Sequence, residues 1–587
     1  METGNTLIAL GIAFMFSAIC LGQTANFAEI SGRLGDPAKQ YRCKGASMVD
    51  FDRDGDDDIF ITKTNGRNLL FENQGDGQFV EVAYAKGIHH GNGSFMGIWG
   101  DFDNDGHLDL YVGNYQSSDV LYRNNGDNTF GNVSYQAGIY NPGRTLTVNL
   151  ADIDNDGFLD IFVGNFNEKN KLYRNNGDFT FTEVAQEVGI TDISYTMGAM
   201  FFDYDNDGDQ DLYITHDNNA PNLLYQNDGS GHFTDVAQAA GANVRANGMG
   251  VDFGDINNDG LLDMYIVNLF ANNLLLNNGN GTFTDITDSS QADDVGMGWG
   301  TTFLDFNNDG LEDIYITNDT YFTNNPRSPN VLFQNMGNNI FSKAEEGQPI
   351  SSFSGSYGIG TGDIDKDGFV DVCIANNGSS DINQLFLNSN SLGNWFGITL
   401  EGTNSNRAAI GARVQARDDK GILHTDEVAG GTGYSSQNSL TIHFGLADAS
   451  SLDSLTIRWP SGLVQTFQAV AANKYYGLKE GNELEELPSN LSTAAHQAPR
   501  ADFSCWLFNS PADGKAELLL ALPSSSQLSL SISDVQGRVL RSKDLGALGS
   551  GQHHIAVETS GLANGICFLS IRNERAVLTK KLLVLNN

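Results

Sequence analysis

"DFDNDGHLD", residues 101–109, sets four aspartates, an asparagine and a glycine within nine positions. Like charges held this close repel one another, so such a run calls for a counter-ion or for full exposure to water. The run is not isolated. Related ones start at Asp50 (DFDRDGDDD), Asp152 (DIDNDGFLD), Asp203 (DYDNDGDQD), Asp255 (DINNDGLLD), Asp305 (DFNNDGLED) and Asp363 (DIDKDGFVD). Successive starts lie 51, 51, 51, 52, 50 and 58 residues apart, a period that marks a repeat protein.

Numbered from the first Asp, positions 1, 3, 5 and 9 are Asp or Asn in every copy, and position 6 is always Gly. The sets are Asp50, Asp52, Asp54, Asp58; Asp101, Asp103, Asp105, Asp109; and Asp152, Asp154, Asp156, Asp160. They continue as Asp203, Asp205, Asp207, Asp211; Asp255, Asn257, Asp259, Asp263; Asp305, Asn307, Asp309, Asp313; and Asp363, Asp365, Asp367, Asp371. Alternate side chains converge as the chain curls, and the Gly permits the sharp turn. Position 7 varies freely (Asp56, His107, Phe158, Leu261), which suits a contribution from its carbonyl alone. Such a set meets the six to eight oxygens that Ca²⁺ takes and offers none of the nitrogen or sulfur that zinc favours. Up to seven Ca²⁺ are therefore expected, one per loop. An EF-hand would carry Glu at position 12. Here that position is Ile61, Val112, Val163, Ile214, Ile266, Ile316 and Ile374, so the chain leaves each loop as a strand.

Between loops the texture is constant: a Gly-rich run enters, an apolar strand leaves, and a strand–Asn/Gly hairpin–strand unit such as KLYRNNGDFTFTEVA follows. Four short strands in about fifty residues predict the blades of a β-propeller. A Phe after each hairpin lies 22 residues before the next loop (Phe79, Phe130, Phe181, Phe233, Phe283, Phe341), and the seventh repeat has no such strand. Phe27, 23 residues before Asp50, supplies it, so residues 26–31 are expected to complete the last blade. The class is all-β: a seven-bladed β-propeller over 26–393, a β-rich domain over 394–486, a linker over 487–501 and a small C-terminal β-sandwich over 502–587.

Net charge is −40, with 73 acidic against 33 basic residues. This repels phosphate backbones and excludes nucleic acid as a partner. Aromatic content of 10% argues against disorder. Residues 7–22 (LIALGIAFMFSAICLG) read as the apolar core of a signal peptide over 1–25, although Glu2 stands where a basic residue is usual. Ile19 before Cys20 departs from the small-residue pattern of a lipidation site. No later stretch is long and apolar enough to span a bilayer. Cys43, Cys373, Cys505 and Cys567 show no metal spacing and are expected to be free buried thiols.

The loops and hairpins resemble FG-GAP/VCBS repeats, the calcium-loop blades also found in integrin α-subunit propellers. NWFGITLEGTNSNRAAIGARV, GGTGYSSQNSLTIHFGL and LTIRWPSG, within residues 394–482, resemble the ASPIC/UnbV domain. The pairing is similar to the cartilage acidic protein family and its bacterial relatives. The resemblance implies an extracellular calcium-binding protein with no assigned catalytic centre. SDVQGRVLRSKDLG and GLANGICFLSIRN resemble the C-terminal sorting domain of type IX secretion, which implies export to the outer surface or the medium.

Partner binding is expected on the face away from the calcium loops, where connections are least uniform. Candidates are His89, His90, Asn114, Tyr115, Tyr140, Arg144, Phe166, Tyr195, His216, Phe270, Tyr321 and Phe322; aromatics with Asn suit a glycan or a surface protein. Asn114, Asn165, Asn268, Asn318 and Asn376 recur at one strand end and read as turn residues. The sequence holds no nucleophile elbow, H-E-x-x-H or P-loop. A non-catalytic binding or adhesion scaffold is the expectation, and a secreted polysaccharide-active enzyme is the alternative.

Overall fold

The computed structural model describes residues 25–35, 40–75, 78–91, 93–320, 328–344, 348, 350–390, 392–487, 504–508, 515–522, 525–533, 538–549, 551–572 and 577–584. The apolar stretch 7–22 with Cys20, residues 488–501 of the expected linker, and Tyr321 and Phe322 lie outside them. The chain forms two compact units, residues 1–489 and 490–587. It is all-β, with two single-turn α-helices and one 3₁₀ turn among the described residues.

Each of the first six acidic repeats supplies four antiparallel strands to a sheet of its own, and the seventh supplies three. The second sheet is Ser94–Gly100, Asp109–Asn114, Val120–Asn124 and Phe130–Asn132. Its first two strands are buried almost throughout, whereas the outermost is half-exposed. Small residues are needed on the first strands because neighbouring sheets press against them. A Cβ on Gly97 would lie 2.2 Å from the Phe60 ring. The other first strands are Cys43–Val49, Thr145–Ala151, Thr196–Phe202, Gly248–Gly254, Gly298–Leu304 and Ser356–Gly362. Each packs on the next, and Ser356–Gly362 packs back on Cys43–Val49. The seventh sheet takes its outer strand from the N-terminal end: Phe27–Glu29 pairs antiparallel with Gln384–Asn388, Phe27 opposite Asn388.

The hairpin asparagines tie sheets together. Asn175 Nδ2 donates to the Phe102 carbonyl of the previous loop at 2.8 Å, and Asn227, Asn277, Asn335 and Asn388 repeat the bond. Asn73 donates to Ile364 at 2.9 Å, joining the first sheet to the seventh.

Residues 394–487 form two further sheets, one built on Asn394–Glu401 and Tyr475–Lys479, the other on Arg413–Asp418 and Ser451–Arg458. They share a single apolar core with the second and third repeat sheets, in which Phe102, Ile161 and Tyr173 pack with Ile410, Phe444 and Trp459. From this domain residues 430–437 run down between the first strands. Gln437 accepts from the Trp99 N–H at 2.8 Å and donates to its carbonyl at 2.9 Å, the Gly430 carbonyl takes the Leu150 N–H, and Gly433 exchanges backbone bonds with Val251. Ser436–Gln437 adds a short parallel strand to Cys43–Val49. Tyr434 at the tip packs with Leu146, Met197, Met249 and Tyr357, one residue from each of four sheets.

One carboxylate anchors the domain's own turn. Glu480 is 3% exposed and accepts from the N–H groups of Thr403, Asn404 and Ser405 and from Ser461 Oγ. These donors, led by Ser461, outweigh burial and hold its carboxyl down at about 2. Because the folded value lies below the unfolded one, near 4.5, its stabilisation is complete above pH 4.5 and is lost as pH falls through 2. Glu480→Gln should cost about 2–3 kcal/mol at pH 7 and flatten the acid limb of an urea-midpoint profile in that window.

Cys43 and Cys373 are free and buried in one cluster. Burial pushes the Cys43 thiol up to about 12 and raises Cys373 too. Neither should react with a maleimide in the native protein, and both should label after denaturation, as a mass shift will show.

The C-terminal unit stacks a three-stranded sheet (Ser504–Phe508, Lys515–Leu522, Gly551–Glu558) on a four-stranded one containing Ser526–Ser533 and Gly565–Arg572. Alternate residues Ala516, Leu518, Leu520, Leu528, Leu530 and Ile532 face a common core, and Cys567 is buried within it.

Candidate functional site

The seven acidic loops share one hydrogen-bond plan. Position 1 lies at the end of the first strand, and its two oxygens accept separate backbone N–H groups. Asp152 Oδ1 takes Asp156 N–H at 3.0 Å and its Oδ2 takes Gly157 N–H at 2.9 Å, and all seven loops repeat the pair. Position 9 opens the second strand. Asp160 Oδ2 accepts Ile153 N–H at 3.0 Å, and its Oδ1 accepts the hairpin Asn175 N–H at 2.7 Å. The same Asn thus binds its own loop and the previous one. At position 6 the glycines adopt φ between +85° and +101°, open to a residue without Cβ.

Each backbone donor engages one lone pair of its oxygen, so the second stays available except at Asp203 Oδ2 and Asp363 Oδ2, which also accept from Arg458 and Tyr475. The carboxylates of positions 1, 3 and 9 converge: Asp50, Asp52 and Asp58 each place an oxygen within 4.8 Å of the other two. So do Asp101, Asp103 and Asp109; Asp152, Asp154 and Asp160; Asp203, Asp205 and Asp211; and Asp363, Asp365 and Asp371. In the other two loops Asn257 and Asn307 replace the middle carboxylate, and each Oδ1 accepts the position-5 N–H, of Asp259 and Asp309, at 3.1 Å. Position 5 stands outside the trio. Asp54, Asp105, Asp156, Asp207, Asp259, Asp309 and Asp367 each turn Oδ1 onto the N–H of position 7, fixing the loop's return.

Two observations bear on what fills the trios. Asp52, Asp154, Asp205 and Asp365 each bury Oδ1 at position 3 with no hydrogen-bond partner, an arrangement costly without a cation. Burial, compounded by neighbouring aspartates, pushes the carboxyls of Asp50, Asp101 and Asp152 up to about 7 and that of Asp211 up to about 9. Carboxyls raised in this way take up protons more readily than free ones, and an oxygen-seeking divalent ion would displace those protons. The all-oxygen donor set fits Ca²⁺.

Sequence reasoning missed two features of these loops. Position 4 sits in the left-handed region in all seven (Arg53, Asn104, Asn155, Asn206, Asn258, Asn308, Lys366), which explains why five are Asn. The second feature is that the loop face is covered by residues 394–487. Arg413 Nη2 donates to the Asp203 carbonyl at 2.7 Å and Nη1 to Asn206 Oδ1 at 2.7 Å. Arg458 Nη2 reaches Asp203 Oδ2 at 3.3 Å, the Tyr475 hydroxyl bonds Asp363 Oδ2, and Arg407 N–H donates to Asn104 Oδ1 at 2.8 Å.

On the opposite face the candidates separate. Tyr115, Phe166 and Tyr195 form a row, with ring centroids 6.1 and 4.8 Å apart, and Phe95 extends it at 5.3 Å from Tyr115. Tyr140 and Phe270 are exposed singly. His216 is buried between Asp192, at 3.0 Å, and the Pro221 carbonyl. His89 lies against Tyr84, His90 reaches Ser117, and Arg144 pairs with Glu168. Asn114, Asn165, Asn268, Asn318 and Asn376 each cap a turn through Nδ2. Sequence inspection overlooked Lys44. The second residues of the first strands are Lys44, Phe95, Leu146, Met197, Met249, Trp299 and Tyr357, so one cation stands where the other six sheets present apolar or aromatic side chains.

Residues 50–112, 101–163, 152–214 and 203–266 match the FG-GAP-like repeat model, 402–485 match ASPIC and UnbV, and 507–585 match the secretion system C-terminal sorting domain. Cartilage acidic protein 1 of Homo sapiens is 33% identical over 175 residues, 27% of this chain and 26% of that protein. The chain thus spans about a quarter of the curated relatives it matches. Among solved structures, the Saccharomyces cerevisiae Sqt1 structure covers 63% of this chain and 100% of its own at 9% identity and TM-score 0.39. An Agrocybe aegerita structure, described as recognising non-reducing terminal N-acetylglucosamine, covers 53% and 82% at 20% identity and TM-score 0.37. The chain carries FG-GAP repeats, an ASPIC/UnbV domain and a sorting domain of the type that directs secretion or surface placement.

Proposed function

We propose that this chain is an exported, calcium-loaded, seven-bladed β-propeller that serves as a non-catalytic binding or adhesion scaffold at the cell surface or outside the cell. The observation that carries the calcium reading is the orphaned, buried position-3 oxygen within a trio of converging carboxylates. Seven sheets whose first strands pack in sequence and return to the start support closure of the ring over residues 26–393. The sorting-domain match supports export. Calcium acts structurally here, because residues of a second domain of the same chain bond directly to the loops, Arg413 to Asp203 and Asn206 and Arg407 to Asn104. A glycan or a surface protein is the partner class.

The test is metal content. Protein dialysed against trace calcium should carry close to seven Ca²⁺ by inductively coupled plasma mass spectrometry. Asp154→Ala should lower the count by one and leave the others filled. A preparation that stays metal-free at millimolar calcium would refute the reading.

A further inference from the structure

Five of the seven loops present an aspartate at position 3, and two present an asparagine, Asn257 and Asn307. The amide still offers an oxygen, but it brings no charge. In the sixth loop its nitrogen also intervenes: Asn307 Nδ2 donates to Asp309 Oδ2 at 2.9 Å, while Asp309 Oδ1 takes the Leu311 N–H, so both oxygens of position 5 are engaged. The frame around the ligands is otherwise common to both classes. Asp255 and Asp305 accept the position-5 and position-6 N–H groups, and Asp263 and Asp313 accept the hairpin asparagines, as in the aspartate loops. Ligand charge and rigidity tune the affinity of an oxygen site for Ca²⁺, and here the rigidity is shared while the charge differs.

Cations on the aspartate loops do not cancel that difference. Arg123 pairs with Asp103, and Arg174 with Asp154 Oδ2 at 3.2 Å, but both guanidinium groups are partly exposed and screened by water. On the fourth loop Arg458 is partly exposed too, and Arg413 is spent on Glu427 at 2.9 Å. Exchanging a carboxylate for an amide instead removes charge at ligand distance, where the Coulomb energy is largest. Glu312, beside Asp313, does not replace it: this side chain lines the cavity beneath the second domain with Asp252 and Asp426.

The two asparagine loops are also neighbours. Asn258 Nδ2 donates to the Gly310 carbonyl at 2.9 Å and ties the fifth loop to the sixth. The second domain touches both. A Cβ on Gly260 would lie 3.1 Å from Leu423, one on Gly310 would lie 3.1 Å from His424, and the Ala447 N–H donates to the Asn308 carbonyl at 2.8 Å.

We propose, resting on the calcium reading given above, that Asn257 and Asn307 make the fifth and sixth loops a lower-affinity pair. As calcium falls, this one sector empties first and loosens its contact with the second domain, while the five aspartate loops stay filled.

Equilibrium dialysis of the fully loaded protein against buffers of stepwise lower free calcium, with bound metal read by mass spectrometry, tests it. Two ions should leave first, and the other five should follow at a free calcium lower by at least about tenfold. Asn257→Asp combined with Asn307→Asp should merge the release into a single step, and Asp154→Asn should enlarge the first step to three ions. Hydrogen–deuterium exchange of the wild type at the intermediate calcium level needs no variant to fold. The amides of Gly260, Gly310 and Ala447 should lose protection there, while those of Gly106 and Gly157 keep it. Release of all ions in one step, a first step of two that survives both Asn→Asp replacements, or an even loss of protection across the loops would overturn the proposal and leave the calcium reading standing. A protein that binds no calcium at any level would overturn both.

Discussion

Stripping calcium from the protein is expected to lower its melting temperature by more than about 10 °C. Each ion bound at a hundredfold excess over its dissociation constant stabilises the fold by about 2.7 kcal/mol. Seven such sites sum to something on the order of 10–20 kcal/mol, as large as the whole stability of an ordinary domain. The loops lie at the ends of first strands, where position 9 also receives the hairpin asparagine. Losing the ion therefore loosens the strand joint and the tie between sheets together. Calorimetry of the first unit with calcium and with excess chelator reads this directly. Coincident melts in the two conditions would mean the trios do nothing for stability.

The pH dependence should change sign with the ion. In the metal-free protein the buried carboxyls of Asp50, Asp101 and Asp152 are raised from 3.8 to about 7. The folded state then binds more protons than the unfolded between those values, so metal-free stability falls as pH rises through 7 and is greatest in acid. With calcium bound, protons compete with the ion and stability falls on acidification instead. Melting temperatures from pH 5 to 8 should slope in opposite directions in chelator and in calcium.

Much of this was legible because the repeat writes the same physics seven times. Asp at positions 1 and 9, Asp or Asn at 3 and Gly at 6 are fixed by local geometry, and local geometry is what a short motif encodes. The turn asparagines such as Asn114 were readable for the same reason. Position 5 was legible as a recurring acid; its second task, closing the turn through Oδ1, was not, as Asp156 accepting the Phe158 N–H shows. Long-range placement was less accessible. That GGTGYSSQ descends between the sheets follows from glycines whose missing Cβ atoms admit neighbouring backbone; a Cβ on Gly430 would lie 2.0 Å from the Leu150 carbonyl oxygen. Lys44 was hidden because the rings it meets, Phe95, Trp299 and Tyr357, come from distant stretches of the chain.

Replacing Arg413 should be the most damaging single substitution outside the loops. The side chain is 3% exposed and pairs with Glu427, itself 2% exposed, at 2.9 Å. Glu427 also accepts from Gln210 Nε2 at 2.8 Å and from the Asp203 N–H, so the pair joins the second domain to the fourth loop. Arg413→Ala strands a buried carboxylate beside Asp203 and Asp426, a loss of about 3–5 kcal/mol, and should lower the melting temperature by roughly 5 °C. The mechanism is separable from lost packing. If the stranded charge is the cause, adding Glu427→Gln to Arg413→Met should restore most of the stability, because neutral partners need no counter-charge. If the two losses simply add, the pair is no more than filler. Arg413 also holds Asp203 and Asn206, positions 1 and 4 of the fourth loop. Its removal and Asp203→Ala should therefore combine less than additively in chelation-sensitive melts, whereas Arg413→Ala with Asp363→Ala, in the seventh loop, should add in full.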